Sequence, residues 1–332
     1  MLVKNVRAYY AAGAGPEIKA VDGVSFAIRE GEVLGIVGES GCGKSTLAAV
    51  MSLTARPPLN LKGGELSLDG QTIRLNEQTT APPQWHGKMI ALLPQRAMNS
   101  LNPTARVRDL VIDVVRSHHP TIQRQTIIEQ AQERLDQLAL PRRVLDDYPH
   151  QLSGGMRQRV VAVISTLLNP RVLIADEPTS ALDVSSQKQL VLLLRLLLEY
   201  GFITRIVYIT HDLPILSSIA DRIAVMYAGK LVEIGDAGAI IDHPQHPYTQ
   251  ALIASTLDLG PHVREQQAQG IHGAPPDLRD PPGGCRFHPR CPYATERCSC
   301  EEPPIIGGDA HAVACWLTHE PIEQVSLQEV AP

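Results

Sequence analysis

The eight residues Gly38-Glu39-Ser40-Gly41-Cys42-Gly43-Lys44-Ser45 fit the pattern G-x-x-x-x-G-K-[ST]. They lie between an apolar, strand-like stretch, Glu32 to Val37, and a helical one, Ser45 to Leu53, which is the setting such a loop needs in order to hold phosphate. Gly38, Gly41 and Gly43 let backbone N–H groups turn inward as a nest for phosphate oxygens, and the helix start adds partial positive charge. Lys44 supplies a full charge at the β and γ phosphates, and the Ser45 hydroxyl a ligand for Mg²⁺. Ser40 and Thr46 belong to the same cradle, whereas Cys42 occupies a variable position and is expected to be inert.

A second group of residues gives that cradle a reaction. Val172-Leu173-Ile174-Ala175-Asp176-Glu177 reads as an apolar strand ending in two acids. Such a strand carries Asp176 toward the metal and leaves Glu177 facing the terminal phosphate. Glu177 would orient or deprotonate an attacking water, a general-base task worth about 10²–10⁴-fold in rate. Hydrolysis of a nucleoside triphosphate follows.

The elements that must position these groups alternate. Strands are expected at Leu2 to Tyr10, Val24 to Ile28 and Glu32 to Val37, where apolar and β-branched residues run between Gly-bearing turns. Pro57-Pro58 ends the helix that follows the phosphate loop, and a further strand is expected at Glu65 to Leu68, before the Asp69-Gly70 turn. Leu, Ile and Val spaced among Gln, Arg and Glu from Val107 to Leu140 predict amphipathic helices inserted between two sheet-forming portions. Strand character returns at Arg171 to Ala175, Arg205 to Thr210 and Arg222 to Glu233, with a helix at Ser185 to Tyr200, the β/α alternation that builds a parallel sheet. No internal repeat interrupts it. A first domain is expected to end near Gly235, and a Pro- and Gly-rich stretch from Pro275 to Gly284 leads into a small second module.

Composition sets outer bounds. At 332 residues the chain has room for about two domains, and 44% hydrophobic with 20% charged residues excludes a largely disordered one. Its apolar runs, such as Leu190 to Leu194, fall far short of the ~20 residues that span a bilayer. Met1 to Tyr10 has no apolar signal core, so a cytosolic chain is expected. A net charge of −5 argues against broad contact with a nucleic-acid backbone. Five of six cysteines crowd between Cys285 and Cys315, which in a reducing compartment reads as metal or cluster ligation before disulfides.

At Leu152-Ser153-Gly154-Gly155-Met156-Arg157-Gln158-Arg159 the sequence resembles the signature of ATP-binding-cassette (ABC) ATPases, and Ser153 with Gly154 and Gly155 opens a predicted helix, Met156 to Leu168. The resemblance covers essentially the whole chain. It implies an α/β fold: an ABC ATPase cassette with a P-loop NTPase core sheet, an antiparallel β portion and a helical insertion at about 96–165, over residues 1–235. A small Cys-containing C-terminal extension would occupy 236–332. It implies a head-to-tail dimer in which the signature of each protomer closes on ATP held by the phosphate loop of the other. By the same resemblance an aromatic, Tyr10 or its neighbour Tyr9, stacks on adenine; Gln95 touches Mg²⁺ and water; Ser180-Ala181-Leu182-Asp183 contacts the partner; and His211 hydrogen-bonds the γ-phosphate. Met156 stands where the family most often has glutamine, as in one of the two paired ATPase subunits of peptide importers, which points to a heterodimer.

The segment His243 to Leu252 is similar to the extension on ATPase subunits of oligopeptide, dipeptide and nickel importers. Cys285, Cys291, Cys298 and Cys315 look like the end of those subunits, some of which bind a [4Fe–4S] cluster. Four soft thiolates suit that cluster, tetrahedral zinc would accept the same four, and merely reduced thiols are the third reading, with Cys300 as a substitute ligand. The resemblance implies an ATP- and Mg²⁺-dependent subunit at the cytoplasmic face of the membrane that powers import of peptides, or of a nickel or other metal chelate. Its partners would be a paralogous ATPase, two membrane-spanning permease subunits that dock on Gln95 to Leu140, and an extracytoplasmic solute-binding protein, with no nucleic acid. An exporter ATPase, or an ABC ATPase acting on nucleic acid or the ribosome, is the alternative.

Overall fold

Residues 33–37 and 172–176 carry almost no polar alternation, and in the fold both segments are strands buried on both faces, as strands covered by helices or a second sheet must be. The computed structural model describes residues 1–13, 15–95, 101–180, 182–256 and 271–319. Ala181 of the expected partner-facing segment and residues 96–100 of the expected insertion lie outside them.

The chain opens with β1 (Leu2–Tyr10) and β2 (Ile18–Ala27), then runs through β3 (Val33–Val37) into helix α1 (Lys44–Met51). Strands β4 (Leu59–Leu68) and β5 (Gln71–Arg74) follow, and β6 (Ile90–Leu93) leads to helices α2 (Val107–His118), α3 (Arg124–Gln137) and α4 (Gly154–Ser165). Next come β7 (Val172–Asp176), α5 (Val184–Glu199), β8 (Arg205–Ile209), α6 (Leu213–Ile219), β9 (Arg222–Tyr227) and β10 (Lys230–Asp236). The remaining elements are short: α7 (Ala237–Asp242), α8 (Pro247–Thr256), α9 (Glu296–Cys300), β11 (Ile306–Gly307), β12 (His311–Val313) and α10 (Trp316–His319).

Among the described residues the strands form two sheets. One is antiparallel, in the order β2-β1-β4-β5; the other runs β11-β12-β10-β9-β3-β8-β7-β6 and is parallel from β9 to β6. The strand period splits each central strand between two cores. Leu34 and Ile36 of β3, with Val172 and Ile174 of β7, face the core shared with α1 and the antiparallel sheet. Val33 and Val37, with Leu173 and Ala175, face the helical side, where Val107, Val111 and Val115 of α2 repeat at helical spacing. Truncating one such side chain, as in Val111→Ala, costs on the order of 1–3 kcal/mol.

Two strands run longer than local sequence predicts. Ile18 to Gly23 join β2 and Leu59 to Gly64 join β4 because both segments pair with β1, where Tyr10 faces Ile18 on one side and Leu59 on the other. Gly235, near which a domain was expected to end, lies inside β10, and Glu233, Ile234 and Gly235 pair with Val313, Ala312 and His311. The C-terminal residues thus extend the central sheet. Among the described residues no helix is long and apolar enough to cross a membrane.

Candidate functional site

Strand β3 delivers the chain to Gly38, and the turn to α1 is tight enough to need its glycines. A Cβ on Gly38 would lie 2.1 Å from the Met226 carbonyl oxygen, and one on Gly43, whose φ is 108°, would lie 2.0 Å from that of Ala20. Lys44 is 6% exposed and folds back over the loop, its Nζ donating to the carbonyl oxygens of Gly38 (2.7 Å) and Glu39 (3.0 Å). Cys42 is buried beside it and remains a thiol, because burial raises its pKa.

Parallel pairing of β7 with β8 brings the end of β7 level with the loop. Ser45 Oγ donates to Asp176 Oδ1 at 3.1 Å. Burial first, and the neighbouring Glu177 charge as well, push the Asp176 carboxyl above the ordinary carboxylate range, against the pull of Ser45 and Lys44. A buried carboxylate beside a hydroxyl is a hard-oxygen pair that suits Mg²⁺, and a divalent cation would relieve its desolvation. Glu177 follows in a left-handed backbone conformation, φ 45°, fixed by its N–H donating to the Ile209 carbonyl oxygen at 2.9 Å and by Ser180 Oγ donating to its own carbonyl oxygen, also at 2.9 Å. Strain of this kind persists only where surrounding bonds over-determine it. It turns the carboxylate toward the cleft, where Gln95 Nε2 donates to Oε2 at 2.7 Å and His211 Nδ1 stands 3.4 Å from Oε1. His211 itself is largely exposed at the end of β8.

Ser40, Gly41, Gly43, Lys44, Ser45, Gln95 and Glu177 line one cleft of about 380 Å³, with Tyr10 and Thr46 on its wall, whereas Gly38, Asp176 and His211 stand outside its lining. Successive residues of β1 point to opposite faces, so the two tyrosines part company. Tyr10 hydrogen-bonds Thr46 Oγ1 at 3.1 Å, while Tyr9 donates to Asp22 Oδ1 at 2.7 Å, away from the cleft lining. Ser153, Gly154 and Gly155 do not line this cleft. Ser153 caps α4, its Oγ accepting from the Met156 N–H at 3.2 Å, and Ser153 and Gly154 are exposed. Gly155 is constrained from inside, since a Cβ there would lie 2.5 Å from Ser186 Oγ at the start of α5. The Met156 side chain packs against the helical core.

The expected [4Fe–4S] or zinc site does not form. Among the described residues no group of three or more His, Cys, Asp or Glu is placed to hold a metal ion, and Cys285, Cys291, Cys298, Cys300 and Cys315 are all free. The crowding in sequence reflects packing. Cys285 and Cys291 pack against the apolar core, and Cys298 and Cys315 are buried. Burial pushes the Cys285 thiol up to about 11 and raises Cys291 and Cys315, which opposes the thiolate form that ligation requires. Cys285 also spends its N–H on the Cys298 carbonyl oxygen at 2.8 Å.

Local patterns gave no sign of several residues at the cleft. Ile18 and Ala20 enter its wall through the extended β2, and Leu278 arrives from the Pro-rich stretch, its carbonyl oxygen accepting from the Lys19 N–H at 2.9 Å. The His243 to Leu252 segment has a physical anchor: the fully buried Glu233 carboxylate accepts from the backbone N–H groups of Gln245 (2.7 Å) and His246 (3.1 Å) and contacts His311 Nε2 at 2.6 Å. That places a carboxylate at the N-terminus of α8.

Comparison with known proteins joins these observations. A family model described as ABC transporter matches residues 21–180, and one described as the oligopeptide/dipeptide transporter C-terminal region matches 232–298. The chain is 43% identical to a dipeptide transport ATP-binding protein DppD of Caldanaerobacter subterraneus subsp. tengcongensis, covering 96% of this chain and 97% of that protein. It is 41% identical to the oligopeptide transport ATP-binding protein OppD of Bacillus subtilis, over 95% and 88% respectively. A dimeric ATP-binding cassette solved in a post-hydrolysis state with ADP and Pi superposes with a TM-score of 0.60 at 25% identity, covering 71% of this chain and 98% of that one.

Proposed function

The chain belongs to the dipeptide and oligopeptide branch of the ABC-transporter ATP-binding subunits, and we propose that it hydrolyses ATP in the Gly38–Ser45 cleft to power peptide import from the cytoplasmic face of the membrane. The observation that carries the reading is the Glu177 carboxylate, held by Gln95 and His211 at the mouth of a cleft walled by Lys44 and Ser45. Similarity of residues 232–298 to the oligopeptide/dipeptide transporter C-terminal region favours import over export.

In the proposed reaction the loop amides of Gly38, Ser40, Gly41 and Gly43 and the Lys44 ammonium bind the β and γ phosphates, and Tyr10 stacks on adenine. Ser45, Asp176 and Gln95 would hold Mg²⁺, which would neutralise charge on the phosphates, and Thr46 would belong to the phosphate cradle. Glu177 orients a water toward the γ-phosphorus. As the new P–O bond forms and the bond to the β-phosphate oxygen breaks, the water's proton passes to the Glu177 carboxylate. His211 donates to the γ-phosphate. Lys44 now spends its donors on Gly38 and Glu39 carbonyl oxygens, so it is already placed over the loop that the phosphates enter.

Ser153, Gly154 and Gly155 complete the site of a second ATPase subunit, and the partner's signature completes this one; exposure of Ser153 and Gly154 supports that reading. With Met156 in the signature, the partner is a paralogue. Residues 1–235 carry the nucleotide-binding motifs, and the importer-type extension, 236–332, adds β12 to the same central sheet. The region from Gln95 to Leu140, which leads into the helical insertion at about 96–165, receives two permease subunits that a solute-binding protein supplies.

The test is the intact membrane complex in vesicles. ATP hydrolysis should rise when peptide-loaded binding protein is added outside, and labelled dipeptide should accumulate inside only with ATP. Hydrolysis indifferent to every peptide, or ATP-driven efflux, would overturn the assignment.

A further inference from the structure

We propose that Arg290 and Tyr248, both far outside the phosphate-binding motif, are positioning residues for the phosphate loop: they fix Glu39 and cancel its charge, so that nucleotide affinity depends on them. The inference rests on the ATP reading above.

Glu39 brings a negative charge into a loop that must accept a triphosphate. Its carboxylate is gripped on both oxygens by Arg290, Nη1 donating to Oε2 at 2.7 Å and Nη2 to Oε1 at 3.1 Å. The Arg290 side chain is nearly sealed from solvent, at 6% exposure. Its other donors go to the Tyr227 hydroxyl (3.2 Å), the Ile271 carbonyl oxygen (3.3 Å) and, through Nε, the His272 carbonyl oxygen (2.8 Å). All five N–H groups of the planar fork are therefore used, and the fork cannot swing away without stranding several of them.

The backbone of the same residue is held from the other side. The Glu39 N–H donates to the Tyr248 hydroxyl at 2.7 Å, and the fully buried Tyr248 ring sits 4.5 Å from that of Tyr227 and 5.4 Å from that of Phe287, centroid to centroid. The Glu39 carbonyl oxygen, the third group of this residue, receives Lys44 Nζ at 3.0 Å. One loop residue thus carries the contact to the phosphate-binding ammonium on its carbonyl while two C-terminal side chains hold its amide and its carboxylate. Pro275, Pro276 and Leu278 line one side of a cavity of about 120 Å³, and Glu39 to Cys42 line the other. Removal of Arg290 alone would leave an unpaired, half-buried carboxylate on the phosphate-binding loop and a loop free to relax. Removal of the charge as well should undo the electrostatic part of that damage.

The full-length protein is titrated with MgATP against a fluorescent ATP analogue, with thermal melting measured in parallel. Arg290→Met should weaken MgATP binding about tenfold, and Arg290→Lys, which keeps the charge without the fork, by less. Adding Glu39→Gln to Arg290→Met should recover most of the loss. Tyr248→Phe removes one hydroxyl from a retained ring; it should weaken MgATP a few-fold and serves as the folded probe if Arg290→Met does not fold. Native affinity in Arg290→Met or in Tyr248→Phe would overturn the proposal, as would a double variant no better than Arg290→Met, which would mark the pair as packing alone. A wild-type chain that binds no MgATP would instead remove the ATP reading and this inference with it.

Discussion

The phosphate-loop end and the signature end of this chain satisfy their polar groups in opposite ways. Around the loop nearly every functional group already has an intrachain partner: Lys44 on Gly38 and Glu39, Ser45 on Asp176, Gln95 on Glu177. Ser153 keeps one capping bond to Met156, and it and Gly154 face outward. One end is preorganised at the cost of strain at Glu177 and a buried Asp176; the other is an exposed helix N-terminus, of the kind that leaves backbone donors without intrahelical partners. A site divided in this way can bind in one chain and react only in an assembly. On the proposed reading, that division would couple hydrolysis to a change in subunit arrangement.

The sharpest way to break this contrast is Glu177→Gln. It keeps an amide able to hydrogen-bond Gln95 and His211 but removes the proton acceptor. Turnover in the intact complex should fall at least about 100-fold while MgATP binding by the chain persists. Sustained turnover would take Glu177 out of its proposed role. Ser153→Arg tests the other end. It costs about 1 kcal/mol through the lost cap, leaves MgATP affinity of the isolated chain unchanged, and should cut turnover of the assembly roughly 10- to 100-fold. An equal loss of affinity in the isolated chain would mean that Ser153 serves its own loop.

Two smaller effects separate folding from function at each end. Gly155→Ala forces a Cβ against Ser186, so the fold should lose about 1–3 kcal/mol in denaturant titration, and Ser186→Gly should restore much of it. Absence of rescue would place the strain elsewhere. At the loop end, the native Asp176 carboxyl titrates above its unfolded value, so its charge costs the fold at neutral pH, and that cost vanishes as acid protonates the group. Asp176→Asn should therefore raise neutral-pH stability, with the gain gone in acid below the ordinary carboxylate range. It should also abolish Mg²⁺-dependent turnover. A destabilised Asp176→Asn would show that the carboxylate is compensated in the apo fold.

The sequence by itself determined the cradle, the strand that ends in two acids, the buried parallel strands and the amphipathic helices between Val107 and Leu140. Each is a local pattern whose chemistry is set by residues a few positions apart. Family resemblance then carried Gln95, His211 and Ser153, for which no local pattern suffices. Tertiary structure alone decided that Tyr10 rather than Tyr9 turns to the cleft, because strand pairing fixes which face each side chain takes. It also decided that, among the described residues, no metal-holding group forms from the cysteines, of which Cys285, Cys291, Cys298 and Cys315 are buried or half-buried and Cys300 is exposed, since spacing counts thiols but does not orient them. Glu39 and Arg290, 251 positions apart, meet only because the C-terminal chain folds back over the loop, and no periodicity encodes a contact between residues that far apart.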